Sequence, residues 1–280
     1  HTLRNLLNNS KPTLFRHMTP QPDTHSPSIE QTADLLSDIA CELMSSGAHT
    51  MRILQNVSRM AENFGYHLDL SVFQLSVIIT ITDKNNSGKR LTLNKKTKPL
   101  LINYTFVSDL STLSWDTYDK NLDYEEVKRR FHEVISQKRT SRWVILILVS
   151  FANASFCGLF KGDIYAMELV FLATLAGFFV RQEMLIHHIN MLVTYTTSAF
   201  VAGMIAGMGY VFQWGHTPEI ALASCVLYHT PGVPLINSVL DIIEGHVLTG
   251  IARLVNASSL IACTAIGLFT ALLLLGLDKL

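Results

Sequence analysis

Charge is scarce in one half of this chain. Of its 22 Lys and Arg residues, only Lys161, Arg181, Arg253 and Lys279 lie in positions 143–280, and seven of its 22 Asp and Glu residues lie there. A water-soluble fold needs far more polar surface than that, which excludes a soluble second half. The zero net charge excludes a broadly basic nucleic-acid-binding protein. Cysteine is equally sparse. Cys41, Cys157, Cys225 and Cys263 have the spacing of neither a zinc site nor a disulfide framework, and read as small buried hydrophobes. No Walker loop, GxSxG or HExxH occurs, so no motif-borne nucleotide or hydrolytic site is expected, and no cofactor or metal. The opening HTLRNLLNNSKPTLF has no apolar core of the secretory-signal kind.

The first half alternates in period. Pro12, Pro20, Pro22 and Pro27 among Ser, Thr and Asn make residues 1–27 a flexible leader. After Ser28, the positions Ile29, Ala33, Leu36, Ile39, Ala40 and Leu43 repeat every 3.6 residues and predict a helix that stops at Ser45-Ser46-Gly47. A second helix is expected over 50–64, with Met51, Leu54, Val57 and Ala61 on one face and Gly65 closing it. Beyond it the period falls to two. Residues 67–73, the β-branched run 76–82, and 89–93 after the turn Asn85-Asn86-Ser87-Gly88 predict a small antiparallel sheet. A charged helix follows over 123–138. Residues 28–140 therefore read as a small α+β domain.

Residues 141–280 read as a transmembrane domain of about five helices: 143–160, 164–180, 190–212, an interrupted 219–243, and 247–277. At 1.5 Å per residue these lengths suit a hydrocarbon core of about 30 Å. Lys128, Arg129, Arg130, Lys138, Arg139 and Arg142 crowd the entry to the first span. By the positive-inside rule they put the N-terminal domain in the cytoplasm and, after five spans, the C-terminus outside.

The segment His229-Thr230-Pro231-Gly232-Val233-Pro234-Leu235-Ile236-Asn237 carries the most information. Pro231 and Pro234 cannot donate to the carbonyls of Leu227 and Thr230, Gly232 adds freedom, and the helix should break near mid-membrane. Broken helices at that depth line cavities in transporters, where a half-helix N-terminus faces an anionic group. The alternative is a proline kink that serves packing. Asp241 and Arg253 lie in apolar surroundings, where ionisable groups face a pathway or pair with each other. Glu244 and His246 fit either that role or a membrane boundary. Thr249, Arg253, Asn256 and Cys263 share one helix face. Gly203 and Gly207 form a GxxxG and point to close helix packing. Arg181-Gln182-Glu183 and His187-His188 read as an ion pair and loop closing the second span.

Ser46-Gly47-Ala48-His49-Thr50-Met51-Arg52, Arg59-Met60-Ala61, Phe179-Val180-Arg181-Gln182-Glu183, Pro231-Gly232-Val233-Pro234-Leu235-Ile236-Asn237, Asp241, Gly245-His246 and Gly250-Ile251-Ala252-Arg253 resemble, in order and spacing, the motifs of the threonine/serine exporter (ThrE-type) family. The resemblance covers residues 30–277. The chain lacks a second membrane half, so it is most similar to the larger-subunit branch (YjjP-type) of the two-component succinate exporters. It implies a secondary transporter in a bacterial inner membrane, not an enzyme. The implied cargo is succinate, or threonine and serine in the single-chain branch, and the implied partner is a small membrane subunit (YjjB-type) or further copies of this chain. On that basis Pro231, Gly232, Pro234, Asn237, Asp241 and Arg253 are the expected substrate-binding residues, with Arg253 meeting a carboxylate and Asp241 the proton-linked group. The competing reading is a membrane-anchored sensor or enzyme whose Arg52 and Arg59 bind an anionic ligand.

Overall fold

A computed structural model describes residues 27–138 and 140–277; the leader expected over residues 1–27 lies almost wholly outside them. Helix α1 (Ile29–Ser45) begins with a capping box: Ser28 Oγ accepts from Gln31 N–H, and the Gln31 side chain accepts from Ser28 N–H. Helix α2 (Thr50–Asn63) is followed by Gly65 at φ +83°, the left-handed residue that frees the chain to turn into the sheet. Its core face is Ile53, Val57, Met60 and Ala61; Met51 and Leu54, expected there, are only half-buried.

Strands β1 (Tyr66–Phe73), β2 (Ser76–Asp83) and β3 (Arg90–Lys96) form an antiparallel meander in register Leu70↔Ile79↔Leu93. Val77, Ile79 and Ile81 point to the helices, while Thr80 and Thr92 face the other way and share a hydrogen bond at 2.9 Å. Helix α3 (Tyr104–Lys120), absent from the sequence reading, and α4 (Tyr124–Ser136) complete this core around Leu36, Ile39, Val57, Leu110 and Val127. Burial in it pushes the Cys41 thiol up to about 11, as befits a packed, unreactive cysteine.

Among the described residues, the second half contains four helices long and apolar enough to cross a membrane: α5 (Arg142–Leu159), α6 (Ile164–Ile186), α7 (Met191–Val211) and α10 (Val247–Leu274). A fifth candidate is bent by 59° between α8 (Pro218–Ser224), with its following 3-10 turn Leu227–His229, and α9 (Gly232–Ile243). The count is therefore four, or five if the bent pair is one span. Helix α6 does not end at Val180 as expected but runs to Ile186. Glu183 pairs with Arg142 at the start of α5 (2.8 Å), not with Arg181. Gly203 and Gly207 meet Leu268 and Leu275, so the GxxxG does pack α7 against the far half of α10. Gly267 returns the contact: a Cβ there would stand 2.2 Å from the Thr196 carbonyl.

Candidate functional site

The interruption arises in two steps. Helix α8 ends at Cys225, and Asn153 of α5 donates to the released Ser224 carbonyl at 3.2 Å. This satisfies a backbone group that lipid cannot. The 3-10 turn then leads through Thr230 to Pro231, which occupies the N-cap of α9. Pro234 falls in the first turn of α9, where its missing N–H is not needed. It thus helps start a helix rather than break one. Gly232 lies outside the left-handed region and a Cβ there would meet nothing within 4 Å, so neither sterics nor backbone geometry demands glycine.

One face of α9, formed by Pro234, Asn237, Ser238 and Asp241, is buried, while Ile236, Val239 and Ile243 are exposed on the opposite face. The buried face meets the α1–α2 connection. Asn237 Nδ2 donates to the Gly47 carbonyl at 2.8 Å, and Asp241 Oδ1 accepts the Thr50 N–H at 2.8 Å. Arg253, two turns into α10, reaches the Ala48 carbonyl at 3.4 Å and lies 3.0 Å from Asp241 Oδ2. That last contact is an ion pair without hydrogen-bond alignment. Thr249 Oγ1 donates to the Val72 carbonyl at 2.6 Å, and His49 lies 3.7 Å from Glu244.

The electrostatics explain the seat. His49 at the N-cap of α2 supplies no side-chain cap, so the positive end of α2 is left open to its own chain. Asp241 fills that place from another part of the sequence. Its side chain is fully buried and that of Arg253 is 11 % exposed, so each carries the other's charge out of water. Among the expected site residues, Asn237, Asp241 and Arg253 are thus brought together. Pro231 and Gly232 stand at the other end of α9, and Pro234 lies on the same buried face one turn before Asn237. Of the polar stripe on α10, Thr249 and Arg253 face the seat, whereas Asn256 and Cys263 lie one and three turns further on, half-buried.

Sequence reasoning missed a second cluster at the break. His229 Nε2 lies 3.0 Å from Ser198 Oγ, which is also 2.9 Å from the Tyr228 hydroxyl and donates to the Gly177 carbonyl at 2.6 Å. Arg181 donates to the Tyr195 hydroxyl at 2.8 Å. The available signal was His229 immediately before the Pro-Gly segment, in an apolar run. In the N-terminal half, Arg59 is held by Asn56 (3.2 Å) and Ser114 (2.7 Å) and stacks 3.6 Å over Trp115, while Arg52 is exposed. The structure therefore does not bring the two arginines together around a ligand.

An interrupted helix with buried ionisable groups, set in a bundle of apolar helices and seated on an α+β domain, defines a polytopic membrane protein of the transporter kind. The chain belongs to the ThrE family, described as "Putative threonine/serine exporter", whose profile matches residues 34–275. It is 31 % identical over 239 residues to the "Probable succinate transporter subunit YjjP" of Klebsiella aerogenes, covering 85 % of this chain and 92 % of the relative. It is 31 % identical over 236 residues to the protein of the same name from Escherichia coli K12, covering 84 % and 91 %. No solved structure matches.

Proposed function

We propose that this chain is the larger subunit of a two-component secondary exporter that moves a small carboxylate metabolite, succinate or threonine/serine, out of the cytoplasm across a bacterial inner membrane. Family membership and the names of the relatives support the transport class. The observation that carries the reading is the buried Asp241–Arg253 pair beneath the N-terminus of α2. There a carboxylate is held by the charge of a guanidinium and by a helix-end N–H, two features that would also hold the carboxylate of a cargo.

In this reading residues 28–140 form the cytoplasmic domain and 141–280 cross five times, the bent α8–α9 pair counting as one span. Basic residues before α5 support that orientation. Asp241 and the cargo compete for one place. A cargo carboxylate that takes Arg253 and the Thr50 N–H displaces Asp241, which is the proton-linked candidate of this reading. Asn237 and the start of α9 at Pro231, Gly232 and Pro234 line the route. The exposed row Ile236, Val239 and Ile243 offers a face for the small membrane subunit (YjjB-type). The occupied state of Arg59 gives the sensor reading no comparable support.

Counterflow of labelled succinate and labelled threonine into proteoliposomes tests this. Flux of one of them is expected with both subunits present and not with this chain alone. Full flux by the lone chain would remove the partner, and no flux of either compound by the pair would remove the function.

A further inference from the structure

The geometry points to a second carboxylate-binding site in the membrane domain, built by Arg181 of α6, Tyr195 and Ser198 of α7, and His229 at the helix break. Among the described residues Arg181 has no carboxylate within ion-pair distance, in contrast to Arg142, which has Glu183, and Arg253, which has Asp241. Its guanidinium is held instead by the Tyr195 hydroxyl at 2.8 Å and lies over two rings, 4.5 Å from Tyr195 and 5.6 Å from Phe178. Neutral oxygen and π-faces orient this half-buried cation but supply no counter-charge.

His229 packs edge-to-face with the same ring, its centroid 5.3 Å from that of Tyr195. The imidazole is 98 % buried, with Nε2 fixed on Ser198. Its Nδ1, near the Val226 carbonyl of its own turn, completes no hydrogen bond. A fully buried polar atom without a partner, near a half-buried cation without a counter-ion, is a pair of deficits that one small carboxylate-bearing ligand would remove together. A bidentate carboxylate satisfies the guanidinium fork, while a hydroxyl, ammonium or protonated carboxyl of the same molecule reaches Nδ1.

The location fits a way station. Arg181 lies near the end of α6 and Tyr195 one turn into α7, on the side of the bundle where Glu183 meets the start of α5 next to the N-terminal half. A cavity of about 390 Å³, lined by Asn153, Phe178, Leu227, Tyr228 and Thr230 among others, adjoins the cluster through Phe178 and Tyr228. Gly177 lets Tyr228 and α7 pack closely against α6, since a Cβ there would collide with the Tyr228 hydroxyl. As part of an export route the site rests on the function proposed above; as a carboxylate site it stands on its own geometry.

The test is a titration of the full chain, purified with any subunit that accompanies it, followed through 15N-labelled histidine. The His229 resonance is identified by its loss in His229→Gln, and the probes are succinate, L-threonine and uncharged succinamide. Succinate or threonine should move that resonance saturably and succinamide should not. Affinity should fall about tenfold or more in Arg181→Gln and recover in part in Arg181→Lys. Tyr195→Phe keeps the ring but frees the guanidinium, so it should weaken binding by a smaller factor; it serves as the second reading should Arg181→Gln not fold. An unmoved His229 resonance with both carboxylates, or unchanged affinity in Tyr195→Phe and the Arg181 variants, overturns the site. Flux measured in parallel separates the two ideas. Binding at His229 without flux would count against the exporter and leave this site standing. Flux that ignores Arg181→Gln, with His229 unmoved, would do the reverse.

Discussion

Asp241 caps a helix that begins 191 residues earlier in the chain: its Oδ1 accepts the Thr50 N–H at 2.8 Å, at the end of α2 that its own N-cap residue leaves uncapped. The same carboxylate pairs with Arg253, so one side chain joins the α+β domain, α9 and α10. The two halves therefore meet at this buried group.

That contact sets the response to mutation. Asp241→Ala strands Arg253 in a buried site and uncaps α2, and should cost about 3 kcal/mol or more. Asp241→Asn keeps the cap acceptor and should lose less. In a double-mutant cycle with Arg253→Met, the double variant should be more stable than the sum of the single effects implies. Thermal unfolding in detergent checks the order, and additive losses would deny the pair.

A pH effect is expected in the opposite connection, the turn between α5 and α6. Asp163 accepts the His216 N–H at 2.6 Å and caps α6 through the Ala166 N–H at 2.8 Å, and these bonds hold its carboxyl below the usual carboxylate range. A depressed carboxylate contributes its stability above the unfolded-state value and loses it as pH falls through the folded-state value. Wild-type melting temperature should therefore drop on acidification below the ordinary carboxylate range. In Asp163→Asn that part of the pH dependence should be gone.

The glycines should divide by what surrounds them. Gly267→Val would drive a side chain into the Thr196 backbone and force α7 and α10 apart, with loss of well over 1 kcal/mol. Gly232→Ala meets open space in a helical first turn and should stabilise α9 by about 0.5–1 kcal/mol. If that alanine variant folds well yet stops transport, the hinge matters in a state other than this one. Melting temperature and flux measured on the same preparations decide it.

What could be read in advance followed from local chemistry. The charge-poor half, the sheet with its period of two, and the Pro231 break each depend on neighbours in sequence. Helix α3 was overlooked because Tyr104–Lys120 is rich in Ser, Thr, Asp and aromatics, which are weak helix formers, although Phe106, Leu110, Leu113 and Thr117 keep a helical interval and Asn103 caps it. The choice of Asn237, Asp241 and Arg253 rested on polarity within apolar runs. Their meeting with Gly47, Ala48 and Thr50 is tertiary, and no periodicity in either segment encodes it. The Arg181–Tyr195 bond was hidden for the same reason, and by ending α6 at residue 180 when it runs to Ile186.

The most direct test of the exporter account is succinate and threonine flux per correctly inserted molecule in Arg253→Gln and Arg253→Lys, with both subunits present and at equal amounts of folded protein. The account predicts loss of flux in Arg253→Gln and partial flux in Arg253→Lys, which keeps the charge but not the planar fork. Wild-type flux in both variants would contradict it, and would leave Arg253 as a structural partner of Asp241 alone.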